Sequence, residues 1–417
     1  MKYRNCTFAL LTVLSVLALV AGIEAQGRAG DIGDGAMLRH YLISNGPKGP
    51  IHGGESAVTD MILMDDGWVY GSTEATWGEK SCHLFRTDGE VSEHVITVTD
   101  KLPGQPKVSD MAPGPGGELV GATTTYNEVF DDAKNTYEGG HLFSYNPATK
   151  AFVDYGVIQK GQGINCVAVD SLHTRVYCVT YPDAHLFAYD YAKKTTKDYG
   201  QVKEPWRVKD LGRVSWRGVP KVLMIDDAGT VYYSTYIKDK GGRIFRLAFG
   251  DEKPVFTGAV VPTQQGMDDD PLYENTIVSA IKAVDGGFWC GTSVDGFLFK
   301  FHPSTSTCIN KGKAFQYWNL RSLAYGGDGR LYMLGGRDYD NSWLLCYDTM
   351  TGSIECLGWP THTTQMGVIC RDKEGKILMA ENLRNSYIWV YGPSGRLGVK
   401  GEAIIQKAGP GGEVRQP

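Results

Sequence analysis

A strand–turn–strand unit recurs seven times along this chain, and that recurrence constrains the fold more than any other feature. One copy reads Asp328-Gly329-Arg330-Leu331-Tyr332, then a variable stretch, then Trp343-Leu344-Leu345-Cys346-Tyr347-Asp348. Others run from Gly287-Phe288-Trp289-Cys290-Gly291-Thr292 to Gly296-Phe297-Leu298-Phe299, and from Gly229-Thr230-Val231-Tyr232-Tyr233 to Gly242-Arg243-Ile244-Phe245. The frame returns at Val69-Tyr70-Gly71 with His83-Leu84-Phe85, and at Leu119-Val120-Gly121 with His141-Leu142-Phe143. It appears again at Val176-Tyr177-Cys178 with His185-Leu186-Phe187, and at Ile377-Leu378-Met379 with Tyr387-Ile388-Trp389. Copies spaced by about 45 to 60 residues match the period of four-stranded sheets repeated around an axis.

Each copy also has an upstream strand, such as Val278-Ser279-Ala280-Ile281, and a downstream one, such as Phe152-Val153-Asp154-Tyr155-Gly156. The last copy lacks its fourth strand, because Gly392-Pro393-Ser394-Gly395 follows directly. Leu38 to Ser44 has the missing pattern and is expected to close the ring, with Gly401 to Gln406 as the rival strand. Closure abolishes the open sheet edges that invite aggregation. The expected fold is therefore all-β, a seven-bladed β-propeller of four-stranded antiparallel blades closed by an N-terminal strand. The repeats resemble the broad seven-bladed β-propeller superfamily, with the Asp-Gly turn and Leu-Phe-x-Tyr-Asp strand of many exported bacterial propellers. The likeness consists of architectural positions and brings no enzyme family with it. There is no series of WD dipeptides, kelch double glycines or Asp-boxes.

Lys2 and Arg4 precede an apolar run from Phe8 to Val20 that ends near small residues at Ile23-Glu24-Ala25. That is the pattern of a cleaved leader, expected over residues 1–25, with a retained membrane anchor as the alternative. The propeller is expected over 37–395 and a partly disordered tail over 396–417. The protein is then secreted or periplasmic, with no membrane span in the mature chain. A formal net charge of −5 without a lysine or arginine run argues against a nucleic-acid binder. Cys82, Cys166, Cys178, Cys290, Cys308, Cys346, Cys356 and Cys370 form no CxxC pair. A structural zinc site is thus not expected, and the best disulfide candidate is Cys346 with Cys356 across the Asp348–Gly352 turn. The rival is a pair of free thiols.

In such a ring the loops joining strands two and three open on the same face as the segments leading into strand one. The first set carries Trp77, Tyr126, Tyr181, His185, Tyr236, Arg337, Tyr339, Asn382 and Arg384. The second carries His52, Asp60, Asp110, Asn165, Trp206, Arg207, Trp216, Arg217, Glu274, Asn275, Trp318, Asn319, Arg321 and His362. A concave, polar and aromatic mouth is the default binding site. The long insert Tyr126 to Gly140, with Asp131-Asp132, reads as a lid or an ordinary variable loop. Arginine beside tryptophan in Glu204 to Val219 suits a carboxylate on a sugar-like ring, since guanidinium pairs bidentately and indole stacks. A buried, blade-bridging arginine is the bland alternative. His185 has duplicates in His83 and His141 and reads as structural. His362 has none and is the candidate base.

Three functions remain open. One is a polysaccharide lyase acting by β-elimination on an acidic carbohydrate, with His362, Tyr181, Tyr236 and Arg217 as the chemical groups. Arg321, Arg337, Arg384, Trp216, Trp206 and Asn275 would then bind substrate. A second is a non-catalytic propeller docking a glycan or a protein partner at the funnel rim. The third is a Ca²⁺-dependent lactonase or hydrolase using Glu274, Asn275, Asn165 and Asp110. Met267-Asp268-Asp269-Asp270-Pro271 is a further oxygen-rich run, though without EF-hand spacing, and reads more readily as a solvated turn. No GxSxG, HExxH or P-loop motif is present.

Overall fold

The computed structural model describes residues 37–42, 55–75, 81–131, 135–210, 213–237, 240–264, 273–315, 319–336, 342–358, 360, 366–381 and 387–392. Blade 1 comprises Glu55–Leu63, Val69–Ala75, His83–Thr87 and Ser92–Thr97. Blade 2 comprises Lys107–Pro113, Leu119–Thr124, His141–Tyr145 and Phe152–Val157. Blade 3 comprises Gly163–Asp170, Arg175–Tyr181, His185–Asp190 and Thr195–Gln201. Blade 4 has a short inner strand, Met224–Ile225, followed by Val231–Ile237, Gly241–Leu247 and Val255–Val260. Blade 5 is built from Ile277–Lys282, Phe288–Thr292, Phe297–His302 and Thr307–Lys313. Blade 6 is built from Asn319–Tyr325, Leu331–Gly336, Trp343–Tyr347 and Ile354–Gly358. Blade 7 contributes Met366–Arg371, Ile377–Glu381 and Tyr387–Gly392, and Met37–Leu42 pairs antiparallel with the last of these.

Every ladder within a blade is antiparallel, and a single bridge, Glu74 opposite Lys107, joins blades 1 and 2. The core is shared between sheets rather than enclosed within one. Met64, Leu84 and Val98 of blade 1 pack with Met111, Leu119 and Phe143 of blade 2. Equivalent clusters join each later pair, and Val58, Met61 and Phe85 of blade 1 pack with Val368, Leu378 and Ile388 of blade 7. The ring is thus closed by hydrophobic burial as well as by backbone pairing, because each sheet is apolar on both faces.

Local chemistry repeats with the sheets. The turn from strand one to strand two holds an aspartate whose carboxylate accepts the hydroxyl proton of a strand-two tyrosine. The pairs are Tyr70 on Asp66 at 2.8 Å, Tyr232 on Asp226 at 3.0 Å and Tyr332 on Asp328 at 2.8 Å. After Asp328, Gly329 takes φ 78°, a left-handed conformation that glycine adopts at no steric cost.

Cys346 and Cys356 are not bonded to each other, which corrects the expected bridge. Asp348 closes its hairpin on Ser353, so Cys346 faces Glu355 and Cys356 faces Leu345. A one-residue difference in register puts the two sulfurs on opposite faces, Cys346 buried and Cys356 exposed.

Candidate functional site

The starts of the inner strands lie opposite the ends of the second strands: Lys107 opposite Thr124, Gly163 opposite Tyr181, Ile277 opposite Thr292 and Asn319 opposite Gly336. The two sets of connecting segments therefore share one face. On that face, the segment before the inner strand of blade 4 folds as a separate hairpin, Trp206–Asp210 with Arg213–Arg217. Its register pairs Trp206 with Arg217 and Arg207 with Trp216. Cross-strand partners share a face and neighbours along a strand do not. The hairpin therefore divides its arginine and tryptophan residues between two faces.

Arg217 turns toward Glu274, a fully buried carboxylate at the approach to blade 5. Glu274 accepts the Gly218 N–H at 2.7 Å, while Lys221 Nζ lies 3.4 Å and Arg217 Nη1 3.8 Å from its second oxygen. Two cations and one anion leave this cluster with a net positive charge. Both cationic side chains keep solvent contact, 21% for Arg217 and 31% for Lys221. At 3.8 Å the Arg217–Glu274 contact is Coulombic, and Arg217 Nε and Trp216 Nε1 have no protein acceptor among the described residues.

Tyr181 closes the blade 3 side. Its hydroxyl oxygen accepts the Trp216 N–H at 3.2 Å, and its ring meets Phe130 edge-on at 5.5 Å. Burial pushes its pKa up to about 12, with the Arg217 charge opposing the rise. The phenol thus keeps its proton at neutral pH and can donate it, but is a poor base. Phe130 belongs to the short helix Asn127–Asp131, which packs beside the Arg213–Arg217 strand. Gln105 anchors this insert. It is fully buried, donates to Gly139 O at 3.0 Å, and accepts from Tyr137 Oη at 2.6 Å and Thr123 Oγ1 at 2.7 Å. Tyr126 Oη donates to Ala75 O. The insert is therefore tied to blades 1 and 2 and forms a wall beside the hairpin.

Neither models of known protein families nor curated protein sequences match the chain. Solved structures do, at low identity. The extracellular domain of a hybrid two-component system from Bacteroides thetaiotaomicron has a TM-score of 0.55 at 15% identity, over 85% of this chain and 40% of that one. Virginiamycin B lyase from Staphylococcus aureus has a TM-score of 0.58 at 12% identity, over 85% of this chain and 99% of the lyase. The WD40 repeats of RRP9 have a TM-score of 0.53 at 10% identity, over 84% of this chain and 97% of theirs. This chain spans about two fifths of the two-component extracellular domain. The chain is a β-propeller.

Other residues anticipated at the propeller's mouth are distributed around it. Tyr236 is buried, with its ring 6.3 Å from Trp206 and 5.7 Å from Tyr273. Asn275 is fully buried and donates to Pro262 O at 2.6 Å and Thr263 Oγ1 at 3.1 Å, holding the approach to blade 5. Arg321, on the inner strand of blade 6, donates from Nε to Gly336 O at 3.2 Å. His52, Trp77, Met267 to Pro271, Trp318, Arg337, Tyr339, His362, Asn382 and Arg384 lie outside the described residues.

Asp60 and Asp110, expected on the rim, stitch inner strands together. Asp60 accepts the N–H groups of Met61 and Met111, both at 2.8 Å, and Asp110 accepts that of Val167 at 2.7 Å. Asn165 donates to Pro220 O at 2.7 Å. Of the groups considered for Ca²⁺, Asp110 and Glu274 spend an oxygen on the backbone N–H groups of Val167 and Gly218, while Asn165 and Asn275 donate through their amide nitrogens. Among the described residues no three of His, Cys, Asp and Glu converge as metal ligands. His185, with Nδ1 3.0 Å from Asp198, sits in a blade-edge pair also found at His141 and Asp154.

Lys221 was the cation missed in the sequence. It follows the hairpin directly, but its carboxylate partner is 53 residues away, so no local pattern exposes the pair.

Proposed function

We propose that this propeller is exported and binds an acidic carbohydrate at the sector between blades 3 and 5. The observation that carries this reading is the Arg217–Lys221 pair held over buried Glu274 with a surplus positive charge. Both cationic side chains reach solvent, and Trp206 adds an aromatic ring. Charged donors suit a uronate carboxylate, and aromatic faces suit the apolar side of a sugar ring. The leader-like N-terminus and the likeness to an extracellular domain support export. Among the described residues, no helix is long and apolar enough to cross a membrane.

Titration of the purified protein with oligogalacturonate, and with a neutral glucan as control, tests the proposal. Saturable binding of the uronate alone is expected, weakened at least about tenfold by Arg217→Ala, since a hydrogen bond to a charged group contributes about 1.5–3 kcal/mol. Equal affinity for the neutral glucan, or no effect of the substitution, would sink it. A second reading, β-elimination on the same ligand, draws support from the likeness, over 85% of this chain, to virginiamycin B lyase. Arg217 would neutralise the carboxylate, protonated Tyr181 would serve as acid, and His362 would be the base. The appearance of unsaturated-uronate absorbance during the titration separates turnover from binding alone.

A further inference from the structure

Blades 1, 2 and 3 each begin their third strand with a histidine: His83, His141 and His185. The backbone around the three is equivalent. Their N–H groups donate to Thr73, Thr123 and Thr180 at 3.0, 2.8 and 3.1 Å. What faces the imidazole differs. In blade 2, Asp154 stands opposite Phe143 and places a carboxylate oxygen 2.9 Å from His141 Nδ1. In blade 3, Asp198 stands opposite Phe187 and is 3.0 Å from His185 Nδ1. In blade 1 the same register position, opposite Phe85, is His94.

His94 Nε2 lies 3.2 Å from His83 Nδ1. Thr97 Oγ1 lies 3.2 Å from His83 Nδ1 and 3.3 Å from His94 Nε2. The three donor atoms form a nearly equilateral triangle. Thr97 precedes the short helix Val98–Lys101, and its side chain does not cap that helix. We propose that His83, His94 and Thr97 form a surface site for a divalent transition-metal ion, with Zn²⁺ as its simplest occupant.

Two physical points favour it. Tetrahedral Zn²⁺ with bonds of about 2.0–2.1 Å to nitrogen sets its ligands about 3.3 Å apart, which is the edge of this triangle. Imidazole nitrogen also selects zinc, copper or nickel over the hard cations Ca²⁺ and Mg²⁺. The carboxylate that faces the imidazole in blades 2 and 3 is replaced here by a second imidazole. His83 is buried at 2% exposure and fixes one ligand, while exposed His94 leaves the remaining coordination to water. The site lies on the two outer strands of blade 1 and does not depend on the proposed carbohydrate reading.

The test is a calorimetric titration of the chelator-stripped full chain with Zn²⁺, with Co²⁺ absorption reporting coordination. Wild type should bind one equivalent with a tetrahedral Co²⁺ spectrum. His94→Ala, at an exposed position, should weaken binding at least about tenfold while the circular dichroism spectrum is unchanged, as expected on loss of a direct ligand. His141→Ala should bind like wild type. Absence of saturable binding, or equal affinity in His94→Ala and wild type, would show a hydrogen-bonded histidine pair only and overturn the proposal.

Discussion

Glu274 combines two roles: it accepts the Gly218 N–H that ends the hairpin and balances two cations from within the protein. Breaking a buried ion pair by removing one partner costs about 3–5 kcal/mol, and solvent contact of Arg217 and Lys221 reduces this. Glu274→Ala is therefore expected to lower unfolding stability by about 2 kcal/mol, whereas Glu274→Gln keeps the acceptor and should cost about half as much. Urea denaturation of the two variants measures the difference, and equal losses would contradict the assigned hydrogen bond. The same side chain shows what was legible at this scale. Arg217, Trp216 and Glu274 stand out in the sequence as polar and aromatic residues on mouth-facing segments. Their pairing does not, because Glu274 reaches Gly218 from 56 positions away.

In blades 1, 2, 5, 6 and 7 the third residue of strand two faces the third residue of strand three; in blade 3 the fourth residue, Cys178, takes that place, and in blade 4 Tyr233 faces Phe245, the fifth. Gly71 faces Phe85 and Gly121 faces Phe143, while Cys178 faces Phe187 and Cys290 faces Phe299. Blades 6 and 7 put Met333 against Leu345 and Met379 against Trp389. A Cβ on Gly121 would collide with the buried Phe143 ring. Gly121→Ala should thus cost about 1–3 kcal/mol through overpacking, read as a fall in the urea midpoint at unchanged slope. A neutral result would mean that the Phe143 ring has room to move. The elements were legible because the alternation recurs seven times, punctuated by turns such as Asp66-Gly67, Asp285-Gly286 and Asp328-Gly329. The disulfide expectation failed at this same scale, since hairpin closure at Asp348 and Ser353 sets a register that composition does not reveal.

At the scale of the whole ring, Asp60 and Asp110 tie the inner strands of blades 1, 2 and 3 across three consecutive sheets. Burial raises the Asp60 pKa to about 6, and burial together with the Asp60 charge raises that of Asp110 well above the usual carboxylate range. A raised folded-state pKa means that the folded chain binds more protons than the unfolded chain above about pH 4. The contribution of the pair is then fully present below that pH and is lost as pH rises through about 6 and beyond. Asp110→Asn removes one titrating group, so its melting temperature relative to wild type should improve steadily from about pH 4 to about pH 7. A difference independent of pH would exclude this origin.

Taken alone, the sequence determined that the protein is built from repeated four-stranded sheets and identified which connecting segments share a face. Both follow from local periodicity, which is written into neighbouring residues. Only the tertiary structure decided which side chains on that face meet. It separated Arg217 from Arg207 by strand pleat, withdrew Asp60 and Asp110 into the inner strands, and set Lys221 beside Glu274. It also put His94 where other blades carry aspartate beside the histidine. These are contacts between segments distant in the chain, fixed by register, bulges and blade packing rather than by the residues on either side.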